Sequence, residues 1–472
     1  MYETSTMNTS RDEQEGVIMS EEIIGRRFQL SSFQIIILGF AGVILLGALL
    51  LMLPISTQEG CITPFNEALF TATSAVCVTG LVIHDTGSYW SPFGQAIILT
   101  LIQIGGLGVV TVAASFALLS RRRISLMQRT TLQDAISAPN VGGIVRLTKF
   151  ILRGTFFIEM IGALAMLPVF CRDYGWHGIW MATFHSISAF CNAGFDILGT
   201  ADNLYPSLTG YWQNPIINIT IMLLIIIGGI GFLTWEDIYE NKLQFRRYRM
   251  QSKVILIFTL ILIIFPAIFF LFADFAALSI EDRLQAALFQ SVTTRTAGFN
   301  TVNLSAMSSS SQGIIILLML IGGSPGSTAG GMKTTTFAVL LANIVATYRQ
   351  QDSAHFFDRR VDYNAIKLAS TIITMYIALF FWGGIFISAY EKLPLSSCLY
   401  ETASALGTVG LTLGLTPQLH IPSQLVLILL MYLGRVGSLT LMYAALSGKK
   451  AVNTKLPLEK ITIGKTKGVD IR

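Results

Sequence analysis

Charged side chains are scarce in this sequence: Asp, Glu, Lys and Arg make up 12% of its 472 residues, about half the share of a soluble domain. That deficit excludes one large water-solvated domain, whose amphipathic helices would need charges along every outer face. Five cysteines stand apart at 61, 77, 171, 191 and 398 with no CxxC pair, which excludes a disulfide framework and a thiolate zinc site. No P-loop is present, so the chain carries no ATP motor of its own. The formal charge of +5 sits in short basic loops and speaks to membrane orientation, not to nucleic acid. Arg26 and Arg27 precede the first apolar run, and no small-residue cleavage site follows it near Pro54. An uncleaved first span is therefore expected.

Hydrophobic residues fill 53% of the chain. Eight stretches reach the roughly 20 apolar residues that a membrane helix needs, at about 33–53, 92–119, 148–170, 213–237, 252–274, 312–346, 366–390 and 424–447. Long gaps alternate with shorter basic ones. Each long gap holds a short amphipathic run, then a small-residue segment ending in Gly and an apolar residue. Those segments are Cys77-Val78-Thr79-Gly80-Leu81, Cys191-Asn192-Ala193-Gly194-Phe195, Arg295-Thr296-Ala297-Gly298-Phe299 and Gly407-Thr408-Val409-Gly410-Leu411. Separations of 114, 104 and 112 residues between their glycines mark an internal repeat. Glycine clusters in the following spans keep the same register: Gly106, Gly323 and Arg435 fall 26, 25 and 25 residues after their loop glycine, and Gly229 falls 35 after its own.

The expected organisation is an all-α polytopic membrane protein with four tandem helix–pore loop–helix repeats, eight spans in all, around one pseudo-fourfold pore. Repeat 1 covers 33–119, repeat 2 148–237, repeat 3 252–346 and repeat 4 366–447. A segment 1–32 and a tail 448–472 flank them. These two ends and the basic gaps hold 25 of the 32 Lys and Arg, whereas the pore-loop gaps hold only Arg172, Arg283, Arg295 and Lys392. Both termini are therefore expected in the cytoplasm, with the pore loops facing outward. The outer gaps also carry eleven acids, among them Glu67, Asp85, Asp196 and Glu401. A negative mouth raises local cation concentration.

Irregular backbone at membrane depth is tolerated only inside protein or beside a watery cavity. Four such segments on one side of one chain converge most simply on a shared axis. Glycine permits dihedrals that turn successive carbonyls inward, and rings of carbonyls replace a potassium ion's hydration shell. The short runs then act as pore helices whose negative C-terminal ends favour a cation. The expected ion-binding residues are Val78, Thr79, Gly80, Asn192, Ala193, Gly194, Thr296, Ala297, Gly298, Thr408, Val409 and Gly410, holding K+ through main-chain oxygens. The sixth span is interrupted at Gly322–Gly331. Gly costs about 1 kcal/mol and Pro about 3 kcal/mol in a helix interior, so a straight helix is excluded there, and broken helices mark transport pathways. Arg435 stands where the other repeats have glycine, and a charge at that depth is expensive.

With these segments in view, the chain resembles the Ktr/Trk/HKT superfamily of potassium transporters. It is most similar to the Ktr-type membrane subunits (KtrB-like) over about residues 30–472. Thr408-Val409-Gly410 looks like the core of the potassium-channel filter. The resemblance implies that Gly80, Gly194, Gly298 and Gly410 are filter glycines, Gly80 leaning towards potassium over sodium. It also implies that Gly322, Gly323, Ser324, Pro325, Gly326, Ser327, Thr328, Ala329, Gly330 and Gly331 form a gate beneath the filter. Lys333 and Arg435 border that gate. Further implications are a plasma-membrane location, a homodimer with one pore per protomer and a cytoplasmic nucleotide-binding ring of the KtrA type. Basic loops at 121–129 and 242–253 and the tail after Lys449 would be its docking surfaces. Sodium dependence is a further property that the resemblance implies and nothing in these residues shows, and no organic cofactor is expected.

Two other classes compete. Gly322-x-Ser324-x-Gly326 matches the serine-hydrolase elbow, but that motif needs a preceding strand and a histidine base. The histidines at 84, 177, 185, 355 and 420 all lie in loops or pore-helix segments. A transporter with alternating access usually shows two inverted halves, which four same-direction repeats do not match. No enzymatic activity is expected.

Overall fold

The structure is a computed structural model that describes residues 31–119, 126–136, 142–242 and 244–437, with positions 457 and 459. The N-terminal segment to residue 30, the basic stretch 121–125, residues 438–447 of the last apolar stretch and nearly all of the tail lie outside the described residues.

Helices dominate. Over the first sequence repeat they are α1 (Ser32–Leu51), α2 (Phe65–Val76), α3 (Pro92–Leu107) and α4 (Val109–Leu119), followed by α5 (Leu126–Ile136). The second repeat holds α6 (Ile144–Tyr174), α7 (His177–Phe190), α8 (Pro215–Gly229) and α9 (Phe232–Asn241). The third holds α10 (Met250–Ala273), α11 (Ile280–Thr293), α12 (Ser309–Leu320) and α13 (Thr334–Tyr348). A two-strand antiparallel hairpin, β1 (His355–Phe356) with β2 (Arg359–Arg360), leads into α14 (Tyr363–Glu391), α15 (Leu395–Gly407) and α16 (Ile421–Val436).

Local chemistry sets the starts of these helices. Ser31 and Gln34 form a capping box before α1, satisfying two amides that would otherwise be orphaned. Ser91 caps α3 and Asn214 caps α8, each directly before a proline at the first helical position, where the missing N–H costs nothing. The long helices then face outward with apolar side chains: Phe156 on α6 is 70% exposed and Phe265 on α10 73%. Surface of that kind is a lipid-facing belt rather than a water-facing one. The short helices α2, α7, α11 and α15 are the opposite, buried over most of their length, each packed against the long helix before it.

Among the described residues, α1, α6, α10 and α14 are long and apolar enough to cross a membrane, giving four spans, or six if the bent pairs α3–α4 and α8–α9 each count as one. α12, α13 and α16 are shorter apolar helices. The stretches 92–119 and 213–237, each expected as one span, are each two helices, bent by 98° and 97°. The cause is backbone chemistry at one glycine in each: Gly108 has φ 86° and Gly231 φ 91°, and Gly437 ends α16 at φ 89°. Those angles lie outside the helical region and favour glycine. Between α12 and α13 the interruption is larger, spanning 321–333.

Candidate functional site

The four glycine segments leave the C-terminal ends of α2, α7, α11 and α15 with one shared backbone pattern. Val78, Asn192, Thr296 and Thr408 take φ of 52°, 58°, 68° and 51°, and Gly80, Gly194, Gly298 and Gly410 follow at 90°, 67°, 83° and 94°. Thr79, Ala193 and Val409 each donate their amide to a carbonyl five residues back, on Ser74, Ser188 and Ser404, at 2.8 Å. In the third segment Ala297 donates instead to Thr293, at 3.0 Å. Hydroxyls hold the segments from behind: Ser74 and Ser404 accept from the amides of Gly80 and Gly410 at 3.1 and 3.0 Å. Ser188 and Thr293 donate to the carbonyls of Phe195 and Phe299 at 2.7 and 2.5 Å.

The segments meet in cyclic order. A Cβ added to Gly80 would lie 2.4 Å from the Ala193 carbonyl oxygen, one on Gly194 2.6 Å from that of Ala297, one on Gly298 2.3 Å from that of Val409, and one on Gly410 2.2 Å from that of Thr79. The chain of contacts closes on itself, so these glycines surround one axis and leave no room for side chains among the carbonyls. The second helices reach the ring by the same device. A Cβ on Gly105, Gly228 or Gly434 would lie 2.0, 2.0 or 2.1 Å from the carbonyl of Val76, Phe190 or Leu406.

A cavity of about 260 Å³ opens on one side of the ring, lined by its four glycines with Asp85, Asp196, Tyr205 and Asn300. Asp85 is buried and structural: it accepts from the amides of Ser88 and Tyr205, each at 2.8 Å. Asp196 lies in the loop between α7 and α8, outside the membrane-spanning helices. Its desolvation, with the Asp85 charge beside it, pushes its carboxyl up to about 7.

The loop 321–333 lies against the ring's other side. A Cβ on Gly330 would sit 2.2 Å from Thr408 Oγ1, and one on Gly331 2.9 Å from the Gly407 carbonyl. The loop closes by hydrogen bonds that its neighbours' broken helices leave available. Ser324 and Thr328 donate amides to Gly229 and Gly228 at 3.0 and 3.2 Å, Gly331 to Gly434 at 3.2 Å, and Phe232 returns a bond to Gly326 at 2.7 Å. Thr328 Oγ1 also contacts the second segment, at 3.0 Å from the Phe190 carbonyl and 3.2 Å from Asn192 Oδ1. Beneath the loop a second cavity of about 350 Å³ is lined by Gly331, Lys333, Arg435, Asp134 and Phe232, among others.

Arg435 ties these parts together. Its guanidinium donates to the carbonyls of Thr328 and Gly105, and to that of Gly106 at 3.1 Å. A planar fork with several donors suits divergent carbonyls in a way a single ammonium cannot. Lys333 behaves differently, donating to its own loop at Ala329 (2.8 Å) and Gly330 (3.5 Å). Pro325, Gly326 and Ser327 form the half-buried far turn of the loop, away from the ring, where Gly326 packs on the Ile136 carbonyl of α5. Ser324 is fully buried with Thr334 Oγ1 at 3.5 Å.

Some participants went unnoticed in the sequence. Glu159 on α6 is 7% exposed and accepts from Gln103 of α3 at 3.3 Å, and Gln103 in turn accepts from Cys191 Sγ at 3.6 Å. A lone acid midway along an apolar span was the signal. Asn192 reaches the third segment, donating to the Arg295 carbonyl (3.4 Å) and Thr296 Oγ1 (3.3 Å). No motif encodes that contact.

Known proteins resemble this chain over most of its length. The family model described as TrkH, cation transport protein, matches residues 29–450. The potassium/sodium uptake protein NtpJ of Enterococcus hirae is 39% identical over 450 residues, 93% of this chain and 98% of the relative. The Ktr system potassium uptake protein B of Bacillus subtilis is 38% identical over 419 residues, 87% of this chain and 92% of the relative. Among solved structures, the potassium transporter TrkH from Vibrio parahaemolyticus shares the fold, with a TM-score of 0.69 at 18% identity over 88% of this chain and 85% of that one. The chain is a polytopic, mostly helical membrane protein and belongs to the TrkH family of cation transport proteins.

Proposed function

We propose that this chain takes up potassium across a plasma membrane, through one pore whose axis is the glycine ring, as the membrane subunit of a Ktr-type system. The observation that carries the proposal is the cyclic contact of Gly80, Gly194, Gly298 and Gly410 with their neighbours' carbonyls. A ring of main-chain oxygens with no charged side chain offers a dehydrated monovalent cation a substitute hydration shell. Among the described residues no cluster of three or more His, Cys, Asp and Glu could hold a metal ion. Two passes per repeat give eight spans around a pseudo-fourfold axis, with the second pass bent in repeats 1 and 2 and interrupted in repeat 3. Ions enter from the acidic mouth, lose water at the ring, and pass the loop 322–331 when it moves aside. Arg435 holds that loop shut. Entry is driven by the membrane potential, about 2.3 kcal/mol per charge per 100 mV. A homodimer seated on a cytoplasmic nucleotide-binding ring completes the assembly, with both termini inside. Relatives named for potassium and for potassium/sodium uptake support K+ as cargo, with Na+ as a companion to test.

The decisive experiment expresses the chain in cells lacking potassium uptake and measures growth and net K+ entry at low external potassium, with sodium varied. Rescue is expected. Failure of well-expressed protein, together with its regulatory ring, to move K+ would overturn the assignment.

A further inference from the structure

The third repeat differs from the others at one position beside the ring. Directly after the α11 C-terminal turn stands Arg295, where the first, second and fourth segments have Cys77, Cys191 and Gly407. It is 7% exposed. Among the described residues its side chain forms no ion pair and no hydrogen bond, and its Nε is enclosed without an acceptor. A guanidinium carries five N–H donors, and leaving a buried charged donor unmet is among the costlier faults a structure can hold. Something therefore meets it. Arg295 lines a small cavity of about 10 Å³, whose other walls include Val292 of α11, Ile226 and Gly229 of α8, and Gly323 of the loop. A volume of that size is about one water molecule, too small for any anion with its shell.

The wall supplies what a water needs. The Gly229 carbonyl already accepts from Ser324, and the Gly323 carbonyl from Thr334, each at 3.0 Å, yet a carbonyl oxygen has two lone pairs. Three elements meet at this one point: the third ring segment, the second helix of repeat 2 and the loop. A water here would accept from Arg295 and donate to the two glycine carbonyls.

We propose, resting on the gate assignment above, that this cavity is a single-water site through which Arg295 fastens the loop 322–331 to the base of the third ring segment. Arg295 is a positioning residue for the shut loop, with no part in ion coordination. It is the counterpart, on the α8 side, of the Arg435 tie on the α3 side.

The test uses the full-length chain purified and reconstituted into vesicles without its regulatory partner, reading K+ flux, the K+/Na+ flux ratio and thermal midpoint. Arg295→Met keeps the bulk and removes every donor; Arg295→Gln keeps an amide that still reaches a water. The expected result is partner-free flux raised about fivefold by Met and less than twofold by Gln, with the K+/Na+ ratio unchanged in both. Combined with deletion of residues 325–328, Arg295→Met should add nothing, since the tie and the loop are then one lost interaction. Flux of Arg295→Met within twofold of the parent, full additivity with the deletion, or a changed K+/Na+ ratio at unchanged flux each overturns the proposal. The deletion alone separates the two levels. If it raises flux while Arg295→Met does not, the gate stands and the tie is wrong. If it raises nothing, the gate assignment has failed and the tie falls with it. Should neither variant yield folded protein, a map of the parent resolving ordered waters decides. One water against Arg295 supports the site, and an empty cavity ends it.

Discussion

A side chain at position 80 would share space with the Ala193 carbonyl 2.4 Å away, and the backbone there sits at φ 90°. Holding a non-glycine residue at such an angle costs about 1–3 kcal/mol, which is released by turning a carbonyl out of the ring. Gly80→Ser should therefore lower K+/Na+ selectivity about tenfold, equivalent to about 1.4 kcal/mol, as measured by competing flux; unchanged selectivity would place Gly80 off the pathway. A second residue sets a pH response. Asp196 has its carboxyl raised to about 7 by desolvation and Asp85, against an ordinary value of about 3.9. Above that pH it is charged and draws cations to the mouth; below it the attraction is lost. The KM for external K+ should rise about threefold between pH 8 and pH 6, and Asp196→Asn should abolish the step by holding KM at its high value throughout. At this scale the sequence was informative because a glycine followed by an apolar residue recurs four times at similar spacing. Nothing local marked the Asn192–Arg295 contact, which joins residues 103 positions apart.

Among elements, the bends between α3 and α4 and between α8 and α9 were the part that sequence concealed. Gly105, Gly106 and Gly108 sit in an apolar stretch and read as helix-packing residues. Gly105 does pack that way, on the Val76 carbonyl 2.0 Å from where its Cβ would be, but Gly108 turns the chain by 98° at φ 86°. The loop 322–331 was visible because a proline and five glycines crowd ten residues. Its partners were not visible, since the carbonyls that hold it belong to Gly228, Gly229 and Gly434 in other repeats. Arg435 joins the α3 break to the loop through three carbonyls. Hydrogen bonds from a charged donor contribute about 1.5–3 kcal/mol each, so their removal should free the loop. Arg435→Ala should raise partner-free K+ flux by about tenfold or more. Arg435→Lys should fall between, because one ammonium cannot serve both sides of the break. Flux equal to the parent in both variants would mean that the loop is held shut by its main-chain bonds alone.

For the whole molecule, orientation is the claim on which the acidic mouth, the direction of uptake and the inner docking surfaces all depend. The sequence argues for it through a bias of Lys and Arg towards one set of gaps, because positive loops resist translocation. The five cysteines give it a direct test. Cys61 is exposed in the segment between α1 and α2, whereas Cys77, Cys191 and Cys398 are buried and Cys171 only partly open. The α1–α2 segment belongs to the same side as Asp85, since Gln58 donates its amide to the Tyr89 carbonyl at 2.9 Å and Tyr89 to Asp85 at 3.1 Å. A membrane-impermeant maleimide applied to intact cells should therefore label the parent at Cys61, and Cys61→Ser should remove most of that label. Gln351 is exposed in the loop between α13 and α14, on the opposite face if α14 crosses the bilayer. In the Cys61→Ser background, Gln351→Cys should be labelled only after the cells are permeabilised. The reverse pattern would turn the molecule over: Asp196 would then face the cytoplasm, the loop 322–331 would meet incoming ions before the ring does, and the pH response would follow internal rather than external acidity.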